Sequence, residues 1–527
     1  MSRMLKSSGA MGAATMTSRV LGLVREQVYS WFMGSTPVAG AFFLAFQIPN
    51  LFRRLLGEGA LTAAFIPIFK AKEKNEGEKE MWRASNAVIS GLLVVASAVV
   101  VVAMLVVTVL LHFSGANPAR CLMLELLRMM FPYLILVCLA AICMGMLNAR
   151  GYFFIPAIGA GVLNVVMIAS VLLLAPHMGH TLDAQVFALA IGVLVAGVAQ
   201  AAFQMPALWR EGFRMRWESP WHDPTVREVV RKMIPGSIGV AAFQLNVVMT
   251  GWLGYGQNAV IVSDFNYATR LMELPQGVFG ISLATYLLPT LAGLATEKKF
   301  GEFRTTLRHG VSHLVFVNLL AMIFLLSLAE PMIRLLFQHG KFDSLTTDRV
   351  SFALVCLAPG LIMFSLVNIF ARAFYALNDI KTPMKISLVC IVVNFAFALV
   401  FLFGFKLGGG ALGLANSISA TLNASLLAWH LRGKLGALEM AEFRRQLPAL
   451  AAAGVIAVLL TLNLRWLWDG QFGHASLVLK LGEVFAPMIL ATLVYFAVAL
   501  WLKIPSAHEI AGLVLERLTG KAGANKG

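Results

Sequence analysis

The sequence predicts an all-α polytopic membrane protein: fourteen transmembrane helices in two six-helix lobes, related by a pseudo-two-fold axis along the membrane normal, plus two extra C-terminal helices. Three observations carry this. Of 527 residues, 59% are hydrophobic and 13% charged, with mean hydropathy +0.79; a soluble chain carries about 25% charged residues. The apolar share would fill roughly fourteen spans of about 20 residues. Finally, Lys and Arg fall unevenly on alternate sides of those spans. The composition excludes an ordinary soluble enzyme, a disordered chain and a disulfide scaffold.

The spans, with ends good to a few residues, run in order. Segment 9–33 follows Arg3 and Lys6 in the manner of a signal peptide. Thr15, Thr17, Ser18 and Arg19 interrupt it and no small-residue cleavage site follows, so it is expected as a retained first helix. Span 2, 41–69, carries Pro49, Gly57, Gly59 and Pro67. Span 3 is 84–111, span 4 (121–147) closes at Leu147-Asn148, span 5 (155–175) contains Asn164, and span 6 is 185–209. Span 7 is 230–254; span 8, 264–295, carries Pro275, Gly277, Gly280 and Pro289; span 9 is 306–328. Span 10 (347–377) closes at Leu377-Asn378, span 11 (383–405) contains Asn394, and span 12 (410–431) follows the tight turn Gly408-Gly409-Gly410. Spans 13 (446–467) and 14 (479–502) are flanked by Trp466, Trp468 and Trp501, which suit interfacial anchoring. The connections Lys70–Arg83, Arg210–Lys232 and Glu330–Asp348 are too short for soluble domains.

Leu-Asn closes span 4 and again span 10, and an Asn follows 16 residues later in each case. Spans 2 and 8 share their Pro/Gly interruptions. These parallels predict a duplication: residues 1–215 as an N-terminal lobe, 216–435 as a C-terminal lobe, and 436–527 as two added helices and a tail. Even repeats make parallel copies, and interrupted helices in matching positions point to a binding cavity between them. Twenty-eight Lys and Arg lie on the side of the termini against seven on the other, with seven arginines inside spans. Both termini are therefore expected in the cytoplasm. The net charge of +16 and pI of about 9.9 follow from these topology-setting loops and from anionic headgroups, so a nucleic-acid partner is not expected.

The seven interior cations are Arg19, Arg25, Arg53, Arg54, Arg128, Arg270 and Arg372. Each costs about 2.5–3.5 kcal/mol at a helix centre. Arg372 can snorkel, and Arg128 has Glu125 one turn away as a structural partner. The other five face three acids, Glu26, Glu58 and Glu273. Arg54/Glu58 and Arg270/Glu273 have helical spacing, whereas Glu26, next to Arg25, is expected to point elsewhere. A surplus of about two positive charges facing a wet cavity attracts an anion, and guanidinium suits phosphate oxygens. The candidate anion-binding residues are Arg19, Arg25, Arg53 and Arg270, supported by Arg54, Glu26, Glu58 and Glu273.

No catalytic residues are expected: there are no paired intramembrane carboxylates and no Walker loop, so ATP is not the direct energy source. The ten histidines form no H-E-x-x-H motif and the five cysteines lie in apolar stretches, so no metal site and no cofactor are expected.

Ser18-Arg19-Val20-Leu21-Gly22-Leu23-Val24-Arg25-Glu26 resembles the helix 1 signature of the MurJ (MviN) lipid II flippases, of the multidrug/oligosaccharidyl-lipid/polysaccharide (MOP) exporter superfamily. Ala41-Phe42-Phe43 through Pro49-Asn50-Leu51-Phe52-Arg53-Arg54, Glu58-Gly59-Ala60 and Ala64-Phe65-Ile66-Pro67 resemble its helix 2. Arg270-Leu271-Met272-Glu273 with Pro275, Gly277 and Leu288-Pro289 resembles helix 8, and Asp379-Ile380-Lys381-Thr382-Pro383 resembles the loop between helices 10 and 11. The resemblance covers nearly the whole chain. It implies a transporter in the bacterial inner membrane, not an enzyme, moving lipid II to the periplasmic leaflet during peptidoglycan synthesis. Arg19, Arg25, Arg53 and Arg270 would match the cavity arginines, and helices 13 and 14 would hold the isoprenoid tail. It implies coupling to membrane potential or a monovalent cation, and other cell-wall synthesis proteins as partners. Asn246, Asn394, Asn416 and Asn423 without carboxylates make a weak sodium site. Gly40 and Thr269 stand where some relatives carry Asp. Alternatives are export of another polyprenyl-linked oligosaccharide or a drug on the same fold, or a membrane enzyme or scaffold of envelope synthesis.

Overall fold

The computed structural model describes residues 2–57, 60–115, 117–436, 438 and 440–518, and these are helical with no strand among them. The backbone clusters into two compact units, Met1–Ser263 with His339–Asp343, and Asp264–Gln338 with Ser344–Gly527.

The first unit contains α1 (Ser2–Met33), α2 (Pro37–Phe52), α3 (Ala60–Glu76), α4 (Glu78–Phe113), α5 (Pro118–Met130) and α6 (Tyr133–Ala149). It continues through α7 (Phe154–Ala169), α8 (Leu182–Gln185), α9 (Phe187–Arg210), α10 (Pro224–Gln257) and the start of α11 (Ala259–Pro275). Three starts share one device: Thr36, Asn117 and Asp223 each accept a backbone N–H with a side-chain oxygen, and proline follows at once. The oxygen satisfies an orphan donor, and proline at the first helical position loses no hydrogen bond. α1 packs along α7, α2 along α5, α6 and α7 on α9, and α10 against α2 and α3. Gly40 on α2 meets the Ala259 carbonyl so closely that a Cβ there would overlap the oxygen.

The second unit contains the rest of α11, α12 (Ser282–Thr296), α13 (Phe300–Ser327), α14 (Ala329–Phe337), α15 (Ser344–Leu357), α16 (Gly360–Ala376) and α17 (Lys381–Leu399). α18 (Gly409–Leu435), α19 (Ala441–Gln471), α20 (Leu477–Trp501) and α21 (Pro505–Leu518) complete it. Leu287, Leu291, Phe303, Leu307, Ile369, Phe374 and Leu427 form one core. A second joins α13 to α19 and α20 through Phe316, Leu450, Ala453, Ala491 and Tyr495, whose hydroxyl donates to the Phe316 carbonyl at 2.9 Å. The expected loop 330–348 contains α14 instead. It is fixed by Arg334, which bonds Glu483 of α20 at 2.8 and 3.1 Å and Glu330 on its own helix. Arg465 of α19 also reaches Glu330.

Each expected span coincides with one helix or one interrupted helix. By length and apolarity, nine described helices qualify as membrane spans, and two bent pairs raise the number to eleven. Spans 1, 2 and 7 are helical but outside that group; spans 1 and 2 carry four of the interior arginines. The irregularities occur twice in the same order. π-helical turns at Arg53–Gly57 and Gln276–Ile281 interrupt spans 2 and 8. Bends of 42° and 44° follow in spans 4 and 10, at Pro132 and Pro359. π turns at Ser170–Leu174 and Val400–Gly404 lie six residues after Asn164 and Asn394. Proline and π turns are ordinary causes of such breaks; their repetition is what a duplicated chain would produce.

Candidate functional site

In α1, Arg19 is exposed and Arg25 is largely buried. Arg25 donates from Nη2 to Glu26 Oε1 at 2.5 Å, and its guanidinium lies 5.4 Å from the centroid of the Tyr29 ring. This corrects the expectation that Glu26 points elsewhere. Side chains of neighbouring helical residues leave the axis about 100° apart, but the long arginine arm folds back far enough to close the pair. Arg25 Nε remains buried without a hydrogen-bond acceptor among the described residues. The guanidinium is thus stacked and oriented, with a donor still to satisfy.

Arg53 and Arg54 sit on the π turn of span 2. Arg53 Nε donates to Asn50 Oδ1 at 2.7 Å, and both arginines make further interactions. Glu58 lies outside the described residues. In the second unit, Arg270 Nη1 bonds Glu273 Oε2 at 2.8 Å, as the i,i+3 spacing predicts, with 36% and 50% of the two side chains exposed. A pair this solvated contributes at most about 1 kcal/mol, so Arg270 is not locked by its acid. The first unit therefore holds Arg19, Arg25, Arg53 and Arg54, and the second holds Arg270 and Glu273. Sequence reasoning missed Tyr29 and Asn50 as positioning residues, although their i+4 and i−3 spacing from Arg25 and Arg53 would have found them. It also paired Arg128 with Glu125; the two form no ion pair, because both side chains open onto a cavity of about 320 Å³ between them and α4 and α9.

Loop charges lie outside the spans. Arg150 gathers Glu73, Glu78 at 2.9 Å and Glu211 at 2.6 Å, and Tyr152 donates to Glu211 at 2.7 Å. The Tyr152 and Arg150 hydrogen bonds lower the Glu211 carboxyl below its usual range. In the second unit the loop after span 10 carries Asp379, bonded to Lys434 Nζ at 2.5 Å and to Thr382. Burial alone would raise the Asp379 carboxyl, but the Lys434 and Thr382 bonds outweigh it and hold the group at about 2.

A family model described as Lipid II flippase MurJ matches residues 29–483. The chain belongs to the lipid II flippase MurJ family. Among its MurJ relatives, the lipid II flippase of Burkholderia cenocepacia is 34% identical over 430 residues, covering 79% of this chain and 82% of the relative. The probable lipid II flippase of Vibrio cholerae is 32% identical over 445 residues, covering 82% and 84%. A solved lipid II flippase MurJ in an inward closed conformation superposes with TM-score 0.76 at 21% identity, covering 94% and 98%. An inward-facing multidrug resistance MATE transporter of the MOP superfamily gives 0.65 at 14% identity, covering 82% and 99%. The fold is therefore the MOP transporter fold, in a multi-pass membrane protein. Gly40 has no room for a side chain beside Ala259, and the Thr269 hydroxyl donates to the Phe265 carbonyl of its own helix at 2.8 Å.

Proposed function

We propose that this chain is a lipid II flippase of the bacterial inner membrane, with both termini in the cytoplasm. Its cargo is undecaprenyl pyrophosphate bearing the disaccharide-pentapeptide unit, carried from the cytoplasmic to the periplasmic leaflet. The observation that carries the reading is the MurJ match over residues 29–483, in a chain whose first helix holds Arg25 and whose interrupted spans 2 and 8 hold Arg53 and Arg270. Arg25, Arg53 and Arg270 grip the diphosphate, with Arg19 and Arg54 adding to the local positive field and Glu26, Glu58 and Glu273 keeping the empty site from excess charge. Arg25 keeps one donor, Nε, without an acceptor among the described residues, and the Arg270–Glu273 pair is solvated. Bidentate guanidinium–phosphate bonds are short and strong, so cargo replaces water as the partner of these groups. Neutralising the surplus lowers the cost of closing the lobes around it, and alternating access follows by rocking. No covalent bond changes. An inside-negative potential favours export of the anion by about 2.3 kcal/mol per charge per 100 mV. α19 and α20 hold the isoprenoid tail.

Depletion in cells should accumulate lipid II inside and stop its export. Replacing Arg25, Arg53 or Arg270 by Ala should abolish complementation at unchanged membrane levels. Photocrosslinking of lipid II beside Arg270 should label the wild type and fade in those variants. Complementation by all three variants would end this reading.

A further inference from the structure

Glu125 and Arg128 lie one turn apart on α5 with exposed side chains, and neither pairs with the other or with another charged group among the described residues. α5 is the first half of a bent span. Arg128 is ten residues into it, roughly 15 Å at 1.5 Å per residue. Two opposite charges on a spanning helix call for partners, and the described residues supply none. Beside them is the cavity of about 320 Å³, whose other walls are Met104 of α4, Met129 of α5 and Phe187 of α9. That volume is at the lower end for small-molecule pockets, about 300 Å³. Its lining is apolar and flexible except for one carboxylate and one guanidinium.

We infer that this cavity binds one zwitterionic aminophospholipid. The lipid ammonium meets Glu125, the phosphodiester meets Arg128, and the start of an acyl chain lies along Met104, Met129 and Phe187. An anionic lipid would satisfy Arg128 and be repelled by Glu125; a simple cation would do the reverse. A headgroup carrying both signs a few ångströms apart completes both residues at once, and the thioether walls adapt to an acyl chain. The site lies wholly within the first unit, and its occupancy is independent of the cargo reading.

The test is lipid retention by the full chain, reconstituted in nanodiscs of equal phosphatidylethanolamine and phosphatidylglycerol, re-extracted in mild detergent and weighed by native mass spectrometry. One phosphatidylethanolamine should remain bound in preference to phosphatidylglycerol. Glu125→Gln and Arg128→Gln should each reduce its retention about tenfold, the loss of one charge-assisted hydrogen bond. Met104→Trp, which keeps both charges but fills the cavity, should do the same and carries the test if a charge variant does not fold. Equal retention of the two lipids, sensitivity to Arg128→Gln alone, or retention unchanged in the folded variants would overturn the proposal.

Discussion

Arg334 and Glu483 allow a quantitative test of how α20 is held. Glu483 is fully buried, and its partner Arg334 has 9% of its side chain exposed. The two halves of the pair are not equally supported. Arg334 also bonds Glu330, so losing Glu483 still leaves it one carboxylate; Arg334 is the only basic residue that bonds Glu483 among the described hydrogen bonds. Breaking a buried pair costs about 3–5 kcal/mol because a charge is stranded. Arg334→Met should therefore destabilise by about 4 kcal/mol, and Glu483→Gln by about 2 kcal/mol, a hydrogen bond to a charged group. Replacing both by Met should recover most of the loss, since a well-packed apolar pair is often neutral. The assay is a double-mutant cycle on equilibrium unfolding in detergent. Equal single-mutant effects, or a double variant no better than Arg334→Met, would refute the assignment of the cost to a stranded Glu483.

Gly40→Ala should lower the yield of folded protein sharply, because its Cβ meets backbone of Ala259 that no rotamer change can move; fluorescence-detected size exclusion would show it. Asp379 ionises more easily folded than unfolded. Its contribution to stability is present above its ordinary value near 3.8 and is lost as pH falls through about 2. The unfolding difference between wild type and Asp379→Asn should accordingly vanish at the acid end of that window and be constant above about pH 5. Arg25→Lys should support cell growth poorly despite keeping the charge, since lysine cannot reproduce the planar fork over Tyr29. Arg270→Ala should remove transport, and loss of its solvated pair with Glu273 should account for no more than about 1 kcal/mol of any change in thermal stability.

The fold was largely legible because a bilayer imposes one periodic demand, about 20 apolar residues per crossing. Each expected range coincides with a helix, and Gly57 of span 2 and Pro275, Gly277 and Gly280 of span 8 lie in or next to π turns. The π turn at Ser170–Leu174 holds neither proline nor glycine and that at Val400–Gly404 only its last residue, so repetition marks them better than composition. α14 was missed because it is short and amphipathic, held by Arg334 to acids over 140 residues away as well as nearby. At the site, helical spacing predicted Arg270–Glu273 correctly. It failed for Arg25–Glu26, where side-chain length overrode direction, and for Arg128–Glu125, where an adjoining cavity gives both groups somewhere else to point.

A π turn is an α-helix with one residue too many, and the flanks on either side keep a common phase. Removing a single residue from Gln276–Ile281, which joins α11 to α12, would let the ladder straighten with both ends still facing their old neighbours. The same deletion in an uninterrupted stretch such as α13 would swing everything downstream by about 100°. That turn is thus a place where this chain tolerates shortening, and where an ancestor one residue shorter would have folded alike.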